Sequence, residues 1–179
     1  IQKIDALDYE DLRPYVDYDA IKAFRKNALN PEHPATRGCT VNPDIFFQCR
    51  EACNTRFAAI PDAVEHYMDV INKLTGRDYR IFNYYGAPDA ERVIVIMGSG
   101  AETAKETVDF LTAKGEKVGL LVVHLYRPFA ADRFLAAMPK TVKKIAVLDR
   151  TKEPGAMGEP LYQDVSSLYK AKGADVTIV

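Results

Sequence analysis

Gly98-Ser99-Gly100 directly follows the apolar run Arg92–Met97 and opens an amphipathic stretch. A strand that turns into a helix through glycine presents free backbone N–H groups, and such groups hold phosphate. The dinucleotide fingerprint asks for a third glycine where this chain has Thr103. It also asks for an acidic residue after the next strand, where the chain has His124-Leu125-Tyr126-Arg127. The same residues have a purely structural reading: Ser99 and Glu102, three positions apart, match a capping box. Capping is the expectation here, and Gly115 closes the same helix.

Arg127, within Tyr126-Arg127-Pro128-Phe129, and Arg150, within Asp149-Arg150, each follow a β-prone run; Gly155, Gly158 and Pro160 come next. Ligands of open α/β sheets bind beyond the carboxyl ends of the strands, where two arginines can grip an anion or a partner's carboxylate. The competing reading pairs both with local acids such as Asp132, Asp149 or Glu153. The ligand or interface candidates are therefore Gly98, Ser99, Gly100, Arg127, Arg150 and Gly155. No catalytic residue and no metal ligand is assigned. His33, His66 and His124 are scattered in unlike contexts and read as surface or packed side chains. Cys39, Cys49 and Cys53, spaced C-x9-C-x3-C, fit neither a zinc module nor an iron–sulfur run. An odd cysteine count is no disulfide framework and points to a reducing compartment. Cys49 and Cys53, one helical turn apart, read as small buried hydrophobes.

The elements that must position these residues change character along the chain. Helical spacing covers 17–28, and the prolines and glycine between 30 and 43 favour an extended crossing. A stripe of Phe46, Cys49, Cys53 and Phe57 resumes the helical pattern. Pro61 is expected to open a further helix that buries Val64, Tyr67, Met68, Ile71 and Leu74 and stops at Gly76. Beyond it, strands at 79–85, 92–97, 117–123, 143–148 and 175–179 alternate with helices at 100–114, 131–138 and 159–172. Short apolar strands between amphipathic helices mean an α/β fold, a parallel sheet with helices on both faces and all strand carboxyl ends on one rim. The domain division reads as 1–78, helical and extended, and 79–179, α/β.

With 179 residues, 47% hydrophobic and 27% charged, the chain has the composition of a globular protein large enough to form a core without disulfide or metal staples. Twenty-four basic against 25 acidic residues give a net charge of −1, so no global field attracts nucleic acid. No apolar run is long enough to cross a bilayer. The chain starts at Ile1 and closes on the apolar Thr177-Ile178-Val179, which reads as a slice of a longer chain whose last strand is truncated.

Several strings are more specific than any of these patterns. Thr36-Arg37-Gly38 with Asn42-Pro43-Asp44-Ile45-Phe46-Phe47-Gln48 resembles a signature of the pyruvate:ferredoxin (flavodoxin) oxidoreductases. So do Asn83-Tyr84-Tyr85-Gly86-Ala87-Pro88-Asp89, Met97-Gly98-Ser99-Gly100, Tyr126-Arg127-Pro128-Phe129 and Leu148-Asp149-Arg150-Thr151-Lys152-Glu153-Pro154-Gly155. Cys39-Thr40-Val41 depart from the Thr-Ala-Gln usual there. The resemblance implies that residues 1–78 end a thiamine-pyrimidine domain and that 79–179 form most of a transketolase C-terminal-like domain. For the parent enzyme it implies thiamine diphosphate, Mg2+ and 4Fe-4S clusters. It further implies a homodimer acting on pyruvate and coenzyme A, with electrons passed to ferredoxin or flavodoxin. The location implied is cytoplasmic, or a hydrogenosome in an anaerobic eukaryote. Within this stretch it implies no cofactor, and a structural and interdomain role beside the parent's other domains. The competing reading is a freestanding α/β module that binds an anionic ligand at the rim.

Overall fold

The computed structural model describes residues 6–34 and 40–179. The chain divides into two compact units, one ending at Cys53 and one spanning Asn54–Val179. In the first, α1 (Tyr9–Leu12) is headed by a capping box between Asp8 and Asp11. A 3-10 turn (Arg13–Tyr15) follows. In α2 (Tyr18–Lys26) the Asp17 carboxylate accepts the Ala20 N–H at 2.8 Å, and α3 (Pro43–Glu51) starts on a proline whose absent N–H costs nothing there. None of these helices has a buried residue. The expected burial of the cysteines is therefore corrected: Cys49 is exposed and Cys53 half-buried. Thr36-Arg37-Gly38 and Cys39 lie outside the described residues.

The second unit begins with α4 (Asn54–Thr75), which runs straight through Pro61 instead of restarting there. An interior proline removes one helical hydrogen bond and crowds the preceding turn, at a cost of about 3 kcal/mol. Pro61 is itself buried, beside Phe57, Pro128 and Phe129, and Arg133 pairs with Asp62 and Glu65 on the following turn. Packing thus overrides the local penalty. The expected stripe from Phe46 to Phe57 is likewise divided by a turn at Ala52-Cys53. Gly76, at φ 69°, ends α4 as anticipated.

The sheet follows: β1 (Phe82–Gly86), β2 (Arg92–Met97), α5 (Gly100–Thr112), β3 (Val118–Val123), α6 (Ala131–Ala137), β4 (Lys144–Leu148), α7 (Pro160–Lys172) and β5 (Thr177–Ile178). Strand order is β1-β3-β2-β4-β5. β2, β3, β4 and β5 pair in parallel, with Val95 opposite Leu121 and Val147; β1 pairs antiparallel with β3, Phe82 opposite Val123. The expectation that every strand ends on one rim is corrected for β1. Parallel strands need a crossover of a dozen or more residues, and only Ala87–Glu91 separate β1 from β2. β1 also starts later than expected. The Asn83 side chain holds the 78–80 backbone in a turn, donating to Asp78 O and accepting from Arg80 N, both at 2.8 Å.

Right-handed crossovers place helices on opposite faces when the chain moves in opposite directions across a sheet. The step from β2 to β3 puts α5 on one face, against Leu120, Val122 and Val118; the steps to β4 and β5 put α6 and α7 on the other. There Phe134, Leu161 and Val165 close over Val93, Val95, Leu121 and Ile145, all at most 2% exposed. β3, flanked by strands and covered on both faces, is buried along its whole length.

Candidate functional site at the carboxyl rim of the sheet

β2 is followed by a helix on one face and β4 by a helix on the other, so the carboxyl ends of these neighbours form the sheet's topological switch point, where open α/β sheets bind ligands. Gly98, at φ 79°, turns the chain out of β2, and Gly100 starts α5. Across the gap Arg150 follows β4. Ile96, Met97, Ser99, Gly100, Leu148, Asp149 and Arg150 enclose a crevice of about 260 Å3. Arg150 Nη1 lies 3.5 Å from Ser99 Oγ, so two candidates far apart in sequence meet here.

The expected capping box does not form. Ser99 has helical backbone angles and its side chain caps no N–H, while Glu102 pairs with Lys105 at 3.0 Å. With Gly98 supplying the left-handed turn, Ser99 is already wound into the helix and cannot reach back to the amides of the next turn.

Arg127 is committed elsewhere. Its Nη1 donates to Asp164 Oδ2 at 2.6 Å and to Tyr126 O at 3.2 Å, its Nη2 donates to the Tyr126 hydroxyl, and its guanidinium lies 4.0 Å over the Tyr126 ring. The acid it finds is on α7, not among the nearby acids anticipated. Gly155, at φ 82°, belongs to the loop joining β4 to α7, and the structure does not bring it to the crevice. Two hydrogen bonds from the Glu153 N–H to the Glu159 carboxylate, at 2.9 and 3.0 Å, tie that loop down.

Asp149 has a role that sequence reasoning missed. Its Oδ1 accepts the Leu161 N–H at 3.2 Å and its Oδ2 the Tyr162 N–H at 3.0 Å. The carboxylate therefore caps α7 from twelve residues upstream, in place of the local residue Glu159, which makes no such bond. Pro160 at the helix start was the one available signal, and it marks the helix without naming its cap. A second cavity, around His124 and Lys105, was also not anticipated.

The chemistry available at the crevice is one guanidinium, one hydroxyl and backbone amides, beside the Asp149 carboxylate that already accepts two N–H groups of α7. Such a set can hold an anionic group or a facing carboxylate, and contains no paired nucleophile and base. Among the described residues no group of three or more His, Cys, Asp or Glu is placed to hold a metal ion. The two described cysteines, Cys49 and Cys53, cannot supply the four thiolates that a 4Fe-4S cluster takes. No helix among the described residues is long and apolar enough to cross a membrane.

Residues 90–179 match the family described as pyruvate:ferredoxin oxidoreductase core domain II. The chain is 56% identical, over all 179 residues, to a pyruvate:ferredoxin oxidoreductase of Moorella thermoacetica, of which it covers 15%. It is 60% identical over 169 residues, 94% of its own length, to a pyruvate-flavodoxin oxidoreductase of Enterobacter agglomerans, covering 14% of that relative. To a pyruvate dehydrogenase [NADP(+)] of Cryptosporidium parvum it is 48% identical over 168 residues, 93% of its length and 9% of the relative's. The chain spans about one seventh of the length of the first two relatives. With its α/β sheet and the matched second half, this chain belongs to the pyruvate:ferredoxin oxidoreductase core domain II family.

Proposed function

We propose that this chain is the scaffold portion of a thiamine diphosphate-dependent enzyme. That enzyme converts pyruvate and coenzyme A to acetyl-CoA and carbon dioxide and passes the electrons to ferredoxin or flavodoxin. The observation that carries the reading is identity of 56–60% to pyruvate:ferredoxin and pyruvate-flavodoxin oxidoreductases over 94–100% of the chain. The local role is supported by what the charged rim residues do: Arg127 braces α7 through Asp164, and Asp149 caps the same helix. Thiamine diphosphate, Mg2+ and the 4Fe-4S clusters reside on other domains of the parent, which works as a cytoplasmic homodimer. On that scale residues 1–78 close one domain with its connection, and 79–179 form the next. Gly98, Ser99, Gly100, Arg150 and Gly155 face a neighbouring domain of the parent, whose carboxylate meets Arg150 at the crevice.

The test uses the full-length parent carrying Arg127→Ala or Asp149→Ala. Pyruvate-dependent reduction of an artificial electron acceptor should keep its kcat and its KM for pyruvate, while the melting temperature falls. Loss of kcat at an unchanged melting temperature would place one of these residues in the chemistry and overturn the scaffold reading.

A further inference from the structure

A cavity of about 430 Å3 opens on the α5 face of the sheet, at the joint of β1, β3 and α5. Its floor is apolar: Ala101 and Val122 are 4% and 5% exposed. Tyr79 and Tyr85 stand as walls. Tyr79 meets the His124 ring edge-on at 6.3 Å, and the Tyr85 hydroxyl donates to Asp109 at 2.7 Å. His124 follows β3, and its backbone N–H donates to Ile81 O at 3.0 Å, so its position is fixed. Among the described residues its imidazole makes no hydrogen bond. Lys105 Nζ donates to Glu102 at 3.0 Å, which leaves two of its three N–H groups for another acceptor. The other acid at the cavity, Asp78, is paired with Arg80 Nε at 3.0 Å. The mouth is braced by Asn83, whose side chain donates to Asp78 O and accepts from Arg80 N within the 78–83 turn.

We infer that this cavity binds a small organic acid with an apolar planar body, the body lying between the tyrosines and the anionic head bridging Lys105 and His124. An apolar floor lined also by an ammonium and an imidazole close enough to repel each other is an arrangement that holds an amphiphilic anion. Binding is linked to protonation. Burial, and then Lys105, hold the free His124 imidazole below its ordinary pKa. An anion seated between the two cations reverses the repulsion and raises it, so affinity increases as pH falls.

Benzoate is the probe, and the His124 side-chain resonances of the 179-residue chain are the readout. Benzoate should move those resonances saturably, raise the apparent His124 pKa, and bind more tightly at pH 5.5 than at pH 7.5, on either side of the ordinary imidazole range at about 6.5. Lys105→Met should weaken benzoate by about tenfold, the loss of one charge-assisted contact, and raise the pKa of His124 in the free protein. Lys105 is half-exposed on α5, and His124→Gln, followed through the Tyr79 ring signals, provides a second weakened variant. Benzamide, with the ring but no charge, and inorganic phosphate, with charge but no ring, should each bind much more weakly. Unmoved His124 signals in millimolar benzoate, or unchanged affinity in Lys105→Met, overturn the site. An equal response to benzamide or to phosphate overturns the ligand class.

Discussion

Replacing Asp149 with alanine should destabilise the second unit by about 2 kcal/mol, with an upper bound near 4. The magnitude follows from two hydrogen bonds, at 3.2 and 3.0 Å, that satisfy the first free amides of α7. Loss of a helix cap typically costs about 0.5–2 kcal/mol. Here the cost is raised because Leu161 is 0% exposed, so its N–H finds no water, and an unsatisfied buried donor costs about 1–3 kcal/mol. Nothing local replaces the carboxylate, since Glu159 caps nothing and is turned to Glu153 N and Lys152. Urea unfolding of the 179-residue chain, followed by far-ultraviolet circular dichroism, measures the loss. At about 3–5 °C per kcal/mol for a unit of this size, the melting temperature should fall by roughly 6–10 °C. Asp149→Asn keeps one acceptor oxygen and should fall between the two. If Asp149→Ala unfolds at the same urea midpoint with the same slope as the parent chain, the cap assignment is refuted.

Gly86→Ala should cost more than an ordinary surface glycine. A β-carbon there would sit 2.7 Å from Val118 O and 2.8 Å from Gly119 Cα, at φ 122°, so strain and overpacking of about 1–3 kcal/mol each add in a urea titration. Burial pushes the Tyr169 hydroxyl up to about 12 from its ordinary 10.0, so the fold favours the neutral phenol. Its contribution to stability is complete below pH 10 and lost as pH rises from there towards 12, which absorbance at 295 nm, alongside unfolding measurements, should register as one late-titrating tyrosine. Phe46, Phe57 and Tyr67 are 53%, 46% and 50% exposed, so the isolated chain should self-associate in light scattering, and a monodisperse monomer at all concentrations would contradict that.

What sequence reading recovers here divides by range. β2, β3 and β4 were legible because strands covered on both faces must be continuous apolar runs, and Arg92–Met97 fell within its expected limits to the residue. Gly76 and Pro160 marked a helix end and a helix start through their own backbone chemistry. The reading failed where a distant neighbour decides. Pro61 reads as a helix start until burial beside Phe129 sustains the helix through it, and Ser99 reads as a cap until Gly98 has wound it into the first turn. The meeting of Ser99 with Arg150, and the reach of Asp149 to α7, depend on strand order, which no local pattern encodes. The direction of β1 was in principle readable, since the five residues from Ala87 to Glu91 cannot make a parallel crossover.

That reversed strand also sets where α4 is joined to the sheet. Because β1 runs against β3, its one paired strand, its first residue, Phe82, pairs with Val123, the last residue of β3. The chain leaving α4 therefore arrives beside the strand endings instead of at the far end of the sheet. Asn72, near the end of α4, grips the Tyr79 backbone through two hydrogen bonds at 2.7 and 2.9 Å. α4 is thus tied to the mouth of the His124 cavity twice, by Asn72 on Tyr79 and by Asp69, which pairs with Arg80 at 3.4 Å. The opening of the cavity is therefore anchored on the long helix as well as on the sheet.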